Sequence, residues 1–433
     1  MKNYPKFLKE KLVAKIQNLS TSDSLYVKNP GKDFTRERKL PFAEIVQMII
    51  SMGGNTIYKE LLENKAYSAE VATTSAFVQQ RSKIFPKAFE DIFQNFLPAE
   101  SKMKRYRGYR LLAVDGSELL IPSNPLDIDS QHANQYKNFN LLHMNVLYDL
   151  CNHLYMDAVL QSVRTFDERK ALCSMVQRSA IGGKVIILGD RGFENYNCFA
   201  HIGNKGWNYV IRVKDIYSNG ILSGLSLPDG EFDITVTRLL TRKLTKKIKS
   251  DKRYRFMPQH QIFDFLPPGS DDEFPISFRI VRFKLSSGEF ASVITNLPPE
   301  DFNSTQIKEL YAKRWGIETS FRTLKHTIGL TNFHAKKREL IAQEIFARLT
   351  MYNFCEMITA HVVFSQAIRK HDFQVNFTVA VHVCRRFLRS WGNAPPLEVE
   401  ALIRKNVLPV RPNRKHIRKA CSKSVVCFVY RVA

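Results

Sequence analysis

The chain has 433 residues, of which 65 are Lys or Arg and 41 are Asp or Glu, so its formal net charge at pH 7 is +24. This length is enough for two or three domains with a large apolar core, and the excess of cations favours a polyanionic partner, most simply nucleic acid, over an anionic membrane surface. We find no apolar run of the about eighteen residues that a membrane-spanning helix needs, and no signal-peptide pattern. The seven cysteines are scattered without a CxxC pair, which disfavours a disulfide framework or a zinc site and favours reduced thiols in a cytoplasmic protein.

Residues 1–105 have the pattern of a helical N-terminal region, with helices predicted at 6–18, 41–51, 56–64, 71–82 and 86–96. Pro41 suits the first turn of a helix, and Gly53-Gly54 interrupts the helical pattern. Hydrogen-bond donors cluster at 35–39 and 79–83. Composition alone favours a solvated helical bundle over a DNA-binding domain.

Residues 106–335 change to a pattern dominated by strands. Strands are predicted at 109–121, 141–149, 153–163, 185–189 and 207–213, and helices at 167–180 and 193–204. This β-β-β-α-β-α-β order predicts an α/β (α+β) fold with a mixed sheet flanked by helices. Further strands at 232–240, 274–285 and 290–297, separated by Gly and Pro turns, predict a β-rich insertion at 215–300.

Two basic stretches lie outside this core pattern. The run at 242–255 is usually a solvated loop, but beside a phosphate-handling site it could clamp a DNA backbone, with Tyr254 or Phe256 stacked on a displaced base. Residues 336–433 are predicted to be helical at 336–361 and 372–390 and then basic, with no Asp or Glu from 401 to 433. This C-terminal region could be a disordered tail, whereas its apolar run at 425–430 favours an ordered end that contacts DNA.

Three acidic residues stand at positions where their side chains could meet. Asp115 ends the apolar run 111–114, and Asp190 follows the apolar run 185–188 and a glycine. Ligands gather at the carboxyl ends of strands in open α/β sheets. If residues 310–325 form one helix, advancing about 100° per residue, then Tyr311, Arg314, Glu318 and Lys325 share one face. Asp115, Asp190 and Glu318 could then form an oxygen-only site for Mg²⁺ or Mn²⁺, although a single Asp after a strand is more often a turn former or a helix cap.

The spacing of Tyr311, Arg314, Glu318 and Lys325 resembles the YREK signature of bacterial DDE transposases of the insertion-sequence-four family. The resemblance extends to residues 113–117 around the first Asp and 189–193 around the second. It also covers 34–40 and 408–412, so it spans most of the chain. The four-residue spacing, with both Asp motifs in order, is specific, whereas the terminal motifs alone are weak.

The resemblance implies a ribonuclease-H-like mixed-sheet catalytic core with an inserted β domain, preceded by a helical DNA-binding domain. In such enzymes two Mg²⁺ ions, for which Mn²⁺ substitutes, are held by carboxylates that match Asp115, Asp190 and Glu318. Residues matching Tyr311, Arg314 and Lys325 bind DNA phosphates. Arg191 is a candidate for the same role, or for pairing with a structural carboxylate.

The activity that the resemblance implies is cut-and-paste DNA transposition at terminal inverted repeats, through nicking, hairpin formation and resolution, and strand transfer. Its partners would be double-stranded transposon ends and target DNA, handled by a homodimer in a synaptic complex, in the bacterial cytoplasm at the nucleoid. Two alternatives stay open at this point: a metal-dependent, structure-selective DNA nuclease, and a non-catalytic DNA-binding descendant of a transposase.

Overall fold

A computed structural model describes residues 3–21, 25–36, 38–133, 138–362, 372–389 and 397–410. The helices of these residues are α1 Tyr4–Thr21, α2 Phe42–Ser51, α3 Ile57–Asn64, α4 Thr74–Arg81, α5 Pro86–Asn95, α6 Glu168–Arg178, α7 Tyr196–Asn204, α8 Lys246–Ser250, α9 Ser304–Ala312, α10 Trp315–Arg322, α11 Arg338–Thr359, α12 Phe377–Arg389 and α13 Val399–Lys405. The strands are β1 Arg110–Ile121, β2 Gln131–Ala133, β3 Asn138–Asp149, β4 Leu154–Ser162, β5 Val185–Gly189, β6 Asn208–Val213, β7 Phe232–Thr241, β8 Tyr254–Phe256, β9 Glu273–Lys284, β10 Phe290–Thr295, β11 Phe373–Val375 and β12 Val407–Pro409. None of the described helices is long and apolar enough to cross a membrane.

The centre of the fold is a mixed sheet whose strands follow the order β4-β3-β1-β5-β6. β3 is antiparallel to both β1 and β4, whereas β1, β5 and β6 run parallel to one another. Residues 185–188 of β5 are completely buried, as a continuous apolar run between two covered faces should be. The three-stranded meander followed by two parallel strands, each preceded by a helix, is the predicted ribonuclease-H-like arrangement. The fold class predicted from the sequence is confirmed.

The register of this sheet places the first two acidic residues side by side. Ala113 of β1 pairs with Leu188 of β5. Asp115 and Asp190 each follow these paired residues by two positions, and the strands are parallel. The two carboxylates therefore lie at neighbouring positions just beyond the last residues that β1 and β5 pair; we call this place the sheet edge.

The predicted insertion continues the same sheet, because β10 pairs with β6 and the order then runs β10-β9-β7-β8. The range 215–300 as a separate domain stays a prediction. The basic run within it is partly structural: the buried Arg242 donates two hydrogen bonds to the Leu266 carbonyl oxygen, at 3.0 and 2.8 Å. Arg242 therefore fits neither the solvated loop nor the DNA clamp considered for this run, because its buried guanidinium donates to backbone carbonyl oxygens inside the protein.

The N-terminal helices pack on α11, which is buried along most of its length. Side chains of α1, α2, α5 and α11 belong to one apolar cluster that also includes β1, β3 and β4. Polar contacts cross the same interface, including the ion pair between Arg81 and Glu344 at 3.0 Å. The first and last regions of the described chain therefore share a core with the central sheet.

Two predicted helices differ from the structure. Residues 310–325 do not form one helix, because α9 ends at Ala312, α10 begins at Trp315, and a π-helical turn follows at Thr323–Thr327. The backbone tightens between α9 and α10, where the N–H groups of Lys313 and Arg314 donate to residues three positions earlier. Residues 373–375 form β11, paired with β12, so the helix predicted at 372–390 begins only at Phe377. The apolar run 425–430 lies outside the described residues.

Candidate active site

Each of the first two acidic residues is fixed by the glycine that follows it closely in sequence. The Asp115 carboxylate accepts a hydrogen bond from the N–H of Gly116 at 2.8 Å. Asp190 caps a short 3₁₀ turn and accepts from the N–H of Gly192, also at 2.8 Å. These local hydrogen bonds orient both carboxylates at the edge of the sheet before any ligand arrives.

Glu318, on α10, joins this edge through Arg314. The Arg314 guanidinium donates to the Glu318 carboxylate at 2.7 Å and lies 3.8 Å from Asp115. Arg314 is buried, yet its Nε has no hydrogen-bond partner. The structure therefore brings Asp115 and Glu318 together around the Arg314 guanidinium, whose Nε–H donor makes no hydrogen bond.

Negative charge exceeds positive charge at this place. The pKa of Asp115 is raised to about 6, mainly by burial and also by the nearby carboxylates of Asp190 and Glu318, against the opposing effects of the Gly116 N–H and Arg314. Asp115 and Glu318 thus share one guanidinium, and Asp190 is a further negative charge near Asp115. A site with this imbalance favours a bound cation.

The donor chemistry of the site suits a hard divalent cation, which prefers carboxylate oxygens. In the described residues, however, no group of three or more His, Cys, Asp or Glu side chains is arranged to hold a metal ion as it stands. The physical reason is visible: the guanidinium of Arg314 occupies the space between Asp115 and Glu318. The residues fit a cation in number and type, with Arg314 as the group that now balances part of their charge.

The other predicted phosphate-binding residues lie at different distances from this centre. Tyr311 is half-buried at the end of α9, and burial raises its pKa although the nearby Arg314 and Arg212 lower it. Lys325, in the π-helical turn, donates to the carbonyl oxygen of Glu118 on β1 at 3.0 Å. Arg191 is exposed and lines a cavity of about 400 Å³ together with other polar side chains.

Sequence reasoning missed two residues at this site, His143 and Glu168. The Nε2 atom of His143, on β3, lies 2.9 Å from Oε1 of Glu168, the first residue of α6. A Cβ added to Gly116 would lie 2.3 Å from Glu168 Oε1, so this carboxylate occupies the space beside the residue that follows Asp115. Asp167-Glu168 has the sequence pattern of an ordinary helix start, and only the sheet register brings His143 next to it.

A family model described as "Transposase DDE domain" matches residues 106–354, more than half of the chain. The chain therefore belongs to the DDE transposase family. A segment of 72 residues is 37% identical to the putative transposase InsL for insertion sequence element IS186A of Escherichia coli (strain K12) and to the transposase for insertion sequence element IS421 of Escherichia coli. This segment covers 16% of the chain and only 20% and 19% of the length of those two relatives.

One solved structure with a similar arrangement is a piggyBac transposase in a synaptic complex with hairpin DNA. The match has a TM-score of 0.46 and 11% sequence identity, and it covers 93% of this chain and 81% of that chain. A TM-score of this size supports no inference about the present protein.

Proposed function

We propose that this protein is a DNA transposase that moves an insertion sequence by cut-and-paste transposition at terminal inverted repeats. The observation that supports the proposal is the pairing of β1 with β5, which brings Asp115 and Asp190 to neighbouring positions, together with the contacts of Arg314 with Glu318 and Asp115, all within the family-matched residues. The spacing of Tyr311, Arg314, Glu318 and Lys325 supports the finer assignment to the insertion-sequence-four, or YREK, group.

Asp115, Asp190 and Glu318 are the residues that would hold two Mg²⁺ ions, with Mn²⁺ as a substitute. Held there, two such ions would supply activation of the attacking water or 3′-hydroxyl and charge stabilisation at the leaving oxygen of a phosphodiester. The Gly116 and Gly192 N–H groups hold the two aspartates in position for this role. The proposed reaction comprises nicking, hairpin formation, hairpin resolution and strand transfer.

Arg314 is the residue best placed to bind a DNA phosphate at this centre. Its buried guanidinium has an unpartnered Nε donor and lies beside the carboxylates. A guanidinium binds phosphate oxygens through charge-assisted hydrogen bonds. Tyr311, at the end of α9, and Lys325, in the turn after α10, would extend this contact along the DNA backbone, and Arg191 is a further candidate from its exposed position.

The proposed partners are double-stranded transposon ends and target DNA, bound by a homodimer because two ends must be handled together. The formal net charge of +24 supports a polyanionic partner. If six to ten cations contact phosphates, the affinity for DNA falls by about 10³ to 10⁵ between 50 and 200 mM salt.

A cleavage assay tests this proposal. The substrate is DNA that ends in the element's own inverted repeat, identified in the sequence flanking the gene, and the reaction is run with Mg²⁺ or with EDTA. Cuts at the repeat boundary that require Mg²⁺, produce hairpin ends and disappear in Glu318→Ala support the transposase. The matched control is Glu309→Ala, which removes an exposed carboxylate from α9 and should cut normally.

The other outcomes identify the alternatives. Metal-dependent cutting that ignores the repeat and joins no ends would indicate a structure-selective nuclease. Repeat-specific binding without cutting in Mg²⁺ or Mn²⁺ would indicate a non-catalytic descendant of a transposase. Either result contradicts the proposed function.

A further inference from the structure

We infer that Glu168, held in place by His143, is a positioning residue of the acidic site that strengthens divalent-ion binding by Asp115 and Asp190. This inference rests on the proposed function, because it assumes that the site binds divalent ions. Glu168 lies 53 positions after Asp115 and 22 before Asp190, so neither aspartate motif includes it.

The carboxylate of Glu168 lies beside the β1 backbone that follows Asp115 and beside the turn that follows Asp190. Its Oε1 lies 2.3 Å from the position that a Cβ on Gly116 would take, and its Oε2 lies 3.2 Å from the equivalent position on Gly192. The Cβ position on Gly192 is also 3.0 Å from Asp190 Oδ1. One carboxylate thus bridges the backbone beside Asp115 and the backbone beside Asp190, in space that only glycine leaves free.

Several contacts hold Glu168 in this position. The Nε2 atom of His143 is 2.9 Å from Glu168 Oε1, and the His143 ring packs against Phe166 with a centroid separation of 4.8 Å. Asp167 caps α6 by accepting hydrogen bonds from two N–H groups of its first turn. In that same turn the guanidinium of Arg169 donates to the carbonyl oxygen of Gly192 at 2.9 Å. The first turn of α6 is therefore held by Arg169 to the turn after Asp190 and by His143 to β3.

Glu168 adds a further carboxylate beside the backbone of Gly116 and Gly192, next to Asp115 and Asp190. A structural role would be served equally well by a neutral side chain that accepts the hydrogen bond from His143. Arg314, whose buried Nε has no hydrogen-bond partner, lies 3.8 Å from Asp115 at the same site.

The test compares Glu168→Gln with Asp167→Asn in the full chain. Glu168→Gln keeps the size and an oxygen that can accept from His143, and removes only the charge. Asp167→Asn removes a charge from the adjacent residue and keeps the helix cap, because Asn and Asp cap helices about equally well. Binding of Mn²⁺ is measured by titration calorimetry without DNA, and unfolding is measured in EDTA.

We expect Glu168→Gln to weaken Mn²⁺ binding by about tenfold or more, within the range observed for residues that support metal ligands. Asp167→Asn should change the affinity by less than about twofold, and both variants should unfold in EDTA at no lower temperature than the wild type. Unchanged Mn²⁺ affinity in Glu168→Gln would overturn the inference and would mean that Glu168 only fills the space beside Gly116 and Gly192. Absence of Mn²⁺ binding to the wild type would overturn it as well.

A second variant tests the part played by His143. His143→Gln should weaken Mn²⁺ binding in the wild type but add nothing in the Glu168→Gln background, because His143 acts through the charge of Glu168. Additive losses would contradict this dependence. Because the readout is ion binding, the inference survives a failure of the cleavage assay if Mn²⁺ still binds and Glu168→Gln weakens it.

Discussion

In two regions of this molecule a buried acid lies beside an arginine, but the pKa values of the two acids shift in opposite directions. Glu344 on α11 is only 2% exposed, pairs with Arg81 at 3.0 Å and accepts from the His334 N–H at 2.9 Å. Burial alone would raise the pKa of Glu344, but Arg81 and the hydrogen bond from His334 lower it to about 2. At the acidic site, burial and neighbouring carboxylates raise the pKa of Asp115 to about 6.

The difference lies in how many partners each carboxylate has. In the interface between α11 and the N-terminal helices, each charge described above meets an opposite charge, so the ions can remain buried. At the sheet edge, Asp115 and Glu318 share Arg314, and Asp190 adds a further negative charge near Asp115. We call an ion network complete when each buried charge meets an opposite charge, and such a network is compatible with a stable fold. A network with excess negative charge is incomplete, and it is typical of a site that binds a ligand.

The largest effect should come from removing the carboxylates of the incomplete network. Asp115→Ala, Asp190→Ala and Glu318→Ala should each reduce metal-dependent cleavage by about 10³-fold or more, because charge stabilisation at the reacting phosphate is lost. Binding to inverted-repeat DNA, measured by gel shift in EDTA, should be largely retained. A variant that still cuts efficiently in Mg²⁺ would show that its residue does not belong to the site.

Breaking the complete network should affect stability instead. Glu344→Gln leaves Arg81 buried without a counter-charge and should lower the free energy of unfolding by about 3–5 kcal/mol. Urea denaturation at pH 7 measures this change. The control is Glu339→Gln on the same helix, where a largely exposed pair with Lys28 should contribute less than about 1 kcal/mol.

The pH dependence of this effect has a definite sign. Because the pKa of Glu344 is lowered on folding, its stabilising contribution is complete above its ordinary pKa of 4.5 and is lost as the pH falls towards 2. The stabilities of wild type and Glu344→Gln should therefore converge in acid. A constant difference down to pH 2 would contradict the interpretation of Glu344 as a satisfied ion.

Neutralising the incomplete network should stabilise the protein when no ion is bound. Asp115→Asn removes one of several like charges at a buried edge and should raise the free energy of unfolding in EDTA by about 1–2 kcal/mol. Thermal unfolding in EDTA and in Mg²⁺ measures the effect. A lower stability in EDTA would mean that Asp115 is satisfied by its surroundings, which would remove the distinction between the two regions.

A further effect concerns Glu356, a second acid on α11. Burial raises its pKa to about 8, although hydrogen bonds with Tyr352 and Thr359 oppose the shift. A raised pKa means that ionisation destabilises the fold as the pH rises from the ordinary value of 4.5 through 8. Glu356→Gln should thus be more stable than the wild type at pH 9 and equally stable at pH 4, as measured by urea denaturation. Equal stability at both pH values would contradict this.

Much of the fold could be predicted because its strands are simple patterns. The apolar runs before Asp115 and Asp190 are short and buried, so the strands β1 and β5 followed from the sequence, although β1 continues past Asp115 to Ile121. The helix carrying Glu318 could be predicted only approximately. A uniform 100° per residue does not hold where the chain tightens at Lys313 and Arg314, although Arg314 still contacts Glu318 four positions later.

The remainder of the site depends on contacts that no local pattern contains. His143 and Glu168 are 25 positions apart and meet because β3 and α6 pack together. Gly116 lies within β1 and Gly192 lies in the turn after β5, and both leave space for Glu168. The roles of Asp115, Asp190, Glu318, Tyr311, Arg314, Lys325 and Arg191 stay predictions, and the structure adds which of them are neighbours.

The most direct test of the account is anomalous diffraction from crystals of the full chain grown with Mn²⁺. The account predicts Mn²⁺ density bound by the carboxylates of Asp115 and Asp190, with the Arg314 guanidinium withdrawn from Glu318. Mn²⁺ density elsewhere, or no density at all while Arg314 remains paired with Glu318 at saturating Mn²⁺, would contradict the claim that this sheet edge is a metal-dependent DNA-processing site.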